Sequence, residues 1–279
     1  MKDMKDKNNI RLSFDLRAKQ WAELYKPKKE NIGSYKNIQR KKDVIKLVES
    51  EFDALLDIGC GTGDIIFELL KKNKDSTALG VDFSGEMIEI AKKEAQKEKL
   101  EKRCRFERMD IEKFEDLTGK KFDLILAVGL MEYLEDDRKF LKNIEKTMKK
   151  NGVLILTVPN NTGLFYKTDR AISAVYYFIK DNFLTKNIFD FIKFVVLKKK
   201  RTKTIKPGQQ KTYNPEKFKL LLSQSGFMVE KDRFNFWGVE WPARIFPPLI
   251  HLFKWLEKLE NTPLRKWGKN YIVRARKIE

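Results

Sequence analysis

The chain is poor in the residues that chemistry most often uses. It holds two cysteines, Cys60 and Cys104, and one histidine, His251, among 279 residues. Two cysteines so placed give neither a metal-ligand spacing nor a disulfide framework, and they imply a reducing, cytoplasmic compartment. No stretch reaches the roughly 18 uninterrupted apolar residues of a membrane span. The first residues, Met1 to Asn9, are polar and charged, which predicts no secretory leader. Negative charge is scarce: 59 Lys/Arg stand against 40 Asp/Glu, a net charge of +19. The shortfall is uneven, with 34 against 30 over residues 1–160 and 25 against 10 over residues 161–279.

What is present centres on Leu55-Leu56-Asp57-Ile58-Gly59-Cys60-Gly61-Thr62-Gly63. An apolar run ends in a glycine turn, and Ile65, Ile66, Leu69 and Leu70 then recur at helical spacing. Strand, glycine turn and helix form the first half of a nucleotide-binding βαβ unit. Gly63-Asp64-Ile65 lacks the Gly-Lys-Ser/Thr ending of a phosphate loop, and Asp64 replaces the third glycine of a dinucleotide fingerprint. Asp57 repels a pyrophosphate but suits the ammonium of an amino acid. The pattern therefore points to S-adenosylmethionine (SAM) rather than NAD or ATP. A second strand, Thr77 to Asp82, again ends in an acid, placed to accept from the two ribose hydroxyls of a nucleoside. Ser84 is the expected cap of the next helix, which leaves Asp82 for the ligand.

LLDIGCGTG (55–63), GVDFSGEMIEIAKK (80–93), RFERMDIEKF (105–114), FDLILAVGLMEYLEDD (122–137) and NGVLILTVPN (151–160) resemble, in order, the motifs of the class I SAM-dependent methyltransferases. The resemblance covers residues 50 to 160. It implies a Rossmann-like, mostly parallel seven-stranded α/β sheet with helices on both faces. It also implies a cofactor set of Asp57, Gly59, Cys60, Gly61, Gly63, Asp82, Phe83, Met87, Asp110, Ile111 and Val128. Asp110 would accept from the adenine amino group, with Ile111 lining the ring pocket.

Outside that core, residues 1–50 read as an N-terminal helical lid, with Phe14, Ala18, Trp21, Leu24 and Tyr25 on one face. A second helix is expected over 36–50. Arg40 on it has two readings, a partner for the SAM carboxylate and solvated surface, of which the second is favoured. Asp136 to Lys150 reads as an amphipathic helix that Asn151-Gly152 ends before strand five, Val153 to Val158. Residues 161–212 form a basic, aromatic insertion. Rhythm resumes at Asn214-Pro215, a cap followed by a favoured first helical residue. Residues 213–279 complete the core, with a further aromatic insertion at about 237–268.

Methyltransferases of quinone pathways that look similar carry Glu-x-x-Glu-His after the fourth strand. This chain has Gly129-x-x-Glu132-Tyr133, so two of three ligands are missing and no catalytic metal is expected. The sequence singles out no catalytic residue: His251 lies in an apolar helical run, and Glu132, Tyr133 and Tyr166 have no better support. Three functions compete. The leading one is methyl transfer to a small-molecule or lipid-linked acceptor, with a hydroxyl oxygen favoured and an anionic membrane surface as partner. The second is a tRNA or rRNA methyltransferase, consistent with a pI near 9.6. The third is a SAM-binding module without catalysis.

Overall fold

The computed structural model describes residues 2–25, 31–110, 119–172, 211–236, 238 and 248–278. Ile111 and most of the 161–212 insertion, from 173 to 210, lie outside them, as do 237 and 239–247 of the second insertion.

Two helices, α1 (Lys2–Leu24) and α2 (Ile32–Leu47), precede the sheet. Then β1 (Ala54–Ile58), α3 (Asp64–Lys72), β2 (Thr77–Asp82), α4 (Gly85–Lys97), β3 (Cys104–Arg108) and β4 (Phe122–Val128) come in strict alternation where described. A 3-10 turn, Met131–Tyr133, leads to α5 (Asp137–Thr147), β5 (Met148–Pro159) and a helix over 164–172, α6. The chain closes with α7 (Pro215–Gln224), β6 (Phe227–Asn235), α8 (Leu249–Leu256), two 3-10 segments (Glu257–Asn261 and Pro263–Trp267) and β7 (Asn270–Lys277).

The strands form one seven-stranded sheet in the order β3-β2-β1-β4-β5-β7-β6. The first five are parallel neighbours, and β7 runs antiparallel to both β5 and β6. Order reverses between β1 and β4, and ligands of such sheets bind at the carboxyl ends of the strands there. Because side chains alternate along a strand, Leu56, Ile58, Ile125 and Ala127 face one core with Leu141 of α5 and Leu222 of α7. Leu55, Leu124 and Leu126 face the other, with Val44 of α2, Ile66 of α3 and Ala91 of α4. Burying each such Leu or Ile contributes about 1.5–3 kcal/mol, which is why both faces of the central strands are apolar. A third cluster joins Ile32 and Tyr35 of α2 to Phe236 and to Ile250 and Phe253 of α8.

Local signals place several ends. Ser84 Oγ accepts from the Met87 N–H, and Asn214 Oδ1 accepts from the N–H groups of Glu216 and Lys217. Two expected helices have other boundaries, and the one expected over 36–50 spans Ile32–Leu47. The helix expected to reach Lys150 ends at Thr147, and Met148 already pairs with Phe122 of β4. The register shifts between Phe122 and Leu124, and Asn151 adopts a φ of 60°. The extra residues before Gly152 are thus absorbed by a bulge within β5 rather than by a further helical turn.

Candidate functional site

The glycine turn is built so that the main chain faces open space. Gly59, Gly61 and Gly63 have φ of 76°, 53° and 84°. At Gly63 a Cβ would stand 2.8 Å from Phe67 and 2.9 Å from Phe106, so the turn packs hard against α3 and β3. At Gly61 a Cβ would meet nothing within 4 Å. Gly63 is glycine for packing, Gly61 for its left-handed backbone beside unfilled space. The N–H groups of Gly59 and Cys60 donate to the Val81 carbonyl, at 2.8 and 3.1 Å, and tie the turn to β2.

Asp82 closes the turn from the end of β2. Its carboxylate accepts from Gly61 N–H at 3.0 Å and Ser84 N–H at 2.9 Å. Asp82 thus already holds the turn and the start of α4, with about half of the acceptor positions of an ionised carboxylate. Burial raises its pKa, against the pull of the Ser84, Gly61 and Phe83 N–H groups. Asp57, at the end of β1, is buried and its Oδ1 has no partner. Burial, and then the charge of Asp82, push its pKa up to about 7. Burial also lifts the Cys60 thiol well above its usual range, with the neighbouring Asp82 and Asp57 adding to it.

The N-terminal helix lies over this ground. Ser84 Oγ donates to Asp15 at 2.5 Å, so one serine caps α4 and fastens α1. Phe14 packs edge-on against Phe83 at 5.7 Å and against Tyr133 at 5.6 Å, bridging the ends of β2 and β4. Met87 is buried beneath the start of α4, and Val128 is half-buried where β4 ends. Asp110 is exposed beyond β3, whose neighbour Met109 donates to the Asp82 carbonyl at 2.9 Å.

Of the two readings of Arg40, solvated surface is corrected. The residue is half-buried rather than solvated, and its guanidinium reaches the exit of β4, bonding Asn37 Oδ1 at 2.9 Å. A Cβ at Gly129 would lie 2.7 Å from its Nη1. Burial opposes the charge, but Tyr25, Glu132 and Tyr133 outweigh it and hold the pKa above its ordinary range. Its Nε is buried without a partner, as is Glu132 Oε2. The sequence offered Arg40 only as the less favoured partner of the cofactor carboxylate and Glu132 only as the acid kept after the fourth strand; the further signal available was Gly129, a glycine at a strand exit with no turn motif around it. His251 stands exposed on α8, and Tyr166 lies under the Arg170 guanidinium on α6.

The exits of β1, β2 and β4 thus bring together the carboxylates of Asp57, Asp82 and Glu132, a buried guanidinium and an open stretch of main chain beneath an aromatic helix. That set fits a ligand with an amino-acid end and a nucleoside end.

Known proteins point the same way. A family model described as a methyltransferase domain matches residues 50–219. The ubiquinone biosynthesis O-methyltransferase of Pelagibacter ubique is 35% identical over 108 residues, 39% of this chain and 42% of that protein. That of Coxiella burnetii is 30% identical over 141 residues, 50% of this chain and 56% of the relative. The chain therefore spans about half the length of these curated relatives. A magnesium protoporphyrin IX methyltransferase from Synechocystis, solved with bound SAH, superposes with a TM-score of 0.64 at 14% identity, covering 98% of this chain and 100% of the other.

Proposed function

Because this chain belongs to the methyltransferase-domain family, a class I SAM-dependent group, we propose that it transfers the methyl group of SAM to a hydroxyl of a small-molecule or lipid-linked acceptor. The observation that carries this reading is the pair of unpartnered buried polar atoms at the exits of β1 and β4, Asp57 Oδ1 and Arg40 Nε. In it, Asp57 receives the ammonium of the methionyl end and Arg40 its carboxylate. Gly59, Cys60, Gly61 and Gly63 line the chain. Asp82 exchanges part of its hold on the turn for the ribose hydroxyls, and Phe83, Met87, Asp110 and Val128 border the nucleoside. Ile111 has the same expected place but lies outside the described residues.

SAM supplies an already activated methyl group bonded to a cationic sulfur. The protein's task is alignment and exclusion of water, which together supply several kcal/mol of the barrier. Phe14, Phe83 and Tyr133 close the ground above the turn, and aromatic faces steady a cation. The N-terminal helix acts as a lid in this reading.

The lipid-linked alternative draws on α8. Its inner face packs Ile250 and Phe253 against α2, yet Leu252 and Trp255 on the outside are 48% and 59% exposed. Lys254 and Lys258 flank them on the same segment, and Leu264 and Trp267 come in the next turns. Apolar groups and basic heads on one short amphipathic segment suit an anionic membrane surface. Among the described residues, no helix is long and apolar enough to cross a membrane.

The test is transfer of isotope-labelled methyl from SAM into separated lipid, small-molecule, RNA and protein fractions, repeated in EDTA. Label in the lipid or small-molecule fraction, undiminished by EDTA, is expected. Label confined to RNA or protein overturns the acceptor class, and loss in EDTA restored by a divalent ion overturns the metal-free reading.

A further inference from the structure

With Asp57 and Arg40 given to the methionyl end and Asp82 to the ribose, one buried carboxylate at the strand exits is left. Glu132 sits in the 3-10 turn directly after β4, at the strand exits where the ligand ground lies. Its Oε2 is sealed from water and bonded to nothing. The turn that carries it is pinned from two sides. The Tyr213 hydroxyl donates to the Met131 carbonyl at 2.9 Å, and the Lys211 N–H donates to the Glu132 carbonyl at 3.0 Å. A buried carboxylate oxygen without a donor is costly, and a fixed turn gives it no means of reaching water. Charge matters as well. The site holds more acid than the methionyl zwitterion consumes, and methylation of a hydroxyl must release one proton.

We infer that Glu132 takes the proton of the acceptor hydroxyl. As the acceptor oxygen bonds to the methyl carbon, the pair of the breaking carbon–sulfur bond stays on sulfur, and the hydroxyl proton passes to Glu132 Oε2. Atoms and charge balance: the cationic sulfur becomes neutral and the carboxylate becomes a carboxylic acid. Glu132 is then a catalytic residue toward a hydroxyl-bearing acceptor, and it rests on the methyl-transfer reading above.

The surroundings keep the group poised. Burial raises the Glu132 pKa, while its own N–H and then the cations Arg40 and Lys36 on α2 draw it down. The titratable neighbour on the other side is Tyr213, whose phenol is pushed up by burial, by Asp137 and by Glu132 itself, and so stays neutral. The base therefore ionises above the ordinary carboxylate range, and transfer is expected to rise with pH through that higher value.

Glu132→Gln keeps the shape and removes the base. The variant is expected to bind S-adenosylhomocysteine (SAH, the demethylated product) within about twofold of wild type and to unfold at a similar temperature. Its kcat in the labelled-methyl assay should fall on the order of a hundredfold or more, with the acid limb of the pH profile abolished. Independently of turnover, infrared difference spectra of wild type against Glu132→Gln, both with SAH, should show a carboxylic-acid band titrating above the range of free glutamate. Turnover within about threefold of wild type overturns the assignment, as does a band titrating in the ordinary range. A loss of SAH affinity matching the loss of turnover would instead make Glu132 the counter-ion of Arg40. If wild type binds SAH but labels no fraction, the methyl-transfer reading fails first, and the proton role falls with it.

Discussion

The guanidinium of Arg40 occupies the space that a side chain at residue 129 would need: Nη1 lies 2.7 Å from where a Cβ on Gly129 would stand. Gly129 also holds a φ of 67° and donates its N–H to Thr157 Oγ1 at 2.7 Å. Gly129→Ala therefore meets both backbone strain and a displaced cation. A charge-assisted hydrogen bond is worth about 1.5–3 kcal/mol. Calorimetry with SAH is expected to show affinity reduced about tenfold or more, and Arg40→Ala should reduce it comparably. Near-wild-type affinity in both variants would remove Arg40 from the cofactor site.

Asp82 has two tasks, and its removal should show both. Asp82→Ala releases the Gly61 and Ser84 N–H groups as well as the ribose contacts, so SAH affinity is expected to fall more than in Asp82→Asn, which keeps one acceptor oxygen. Equal affinities for the two variants and wild type would show that the turn holds itself and that the ribose lies elsewhere.

Asp57 makes stability depend on pH. Its folded pKa is raised to about 7 from an ordinary 3.8, so the folded state binds the proton more tightly than the unfolded chain. Its contribution is fully present below the unfolded value and is lost as pH rises from there through the folded value. Asp43 and Glu260 also titrate upward, so wild type alone does not isolate the effect. Measured against Asp57→Asn without ligand, wild type should lose ground as pH climbs from about 4 to 7 and hold level above. A melting-temperature difference between the two proteins that is constant across that window would contradict the assignment.

Docking on a membrane has a salt-dependent signature. Flotation should carry the protein with anionic vesicles at low salt, less at high salt and little with neutral vesicles, because each basic residue near such a surface contributes about 1 kcal/mol and is screened. Leu252→Ser with Trp255→Ser should abolish flotation while leaving SAH binding intact, since both side chains point away from the packed face of α8. A wild type that stays unbound at low salt leaves α8 as a cover for the acceptor ground alone.

Features whose cause lies within a few residues were legible along the chain. Leu55 and Leu56 alternate between the two cores, and Gly59 and Gly63 permit the turn. Ser84 and Asn214 cap the helices they precede, and the apolar run of 122–128 is a central strand. Periodicity, capping and positive φ are local properties, so they survive in a linear reading. The tertiary structure decided whatever depends on two elements meeting. Arg40 looked solvated because its neighbours on α2 are polar; only the crossing of α2 over the exit of β4 buries it. Asp82 looked free because Ser84 already served as a cap, yet the Gly61 N–H arrives from the other side of the turn. The start of β5 inside the expected helix was set by pairing of Met148 with Phe122, a contact that strand register creates and side-chain pattern does not. In sequence Glu132 shows only as the acid kept after the fourth strand, with no sign of its burial. Its lack of a partner is a property of the space around one oxygen, and that space exists only once α2, β4 and the segment around Tyr213 have packed together.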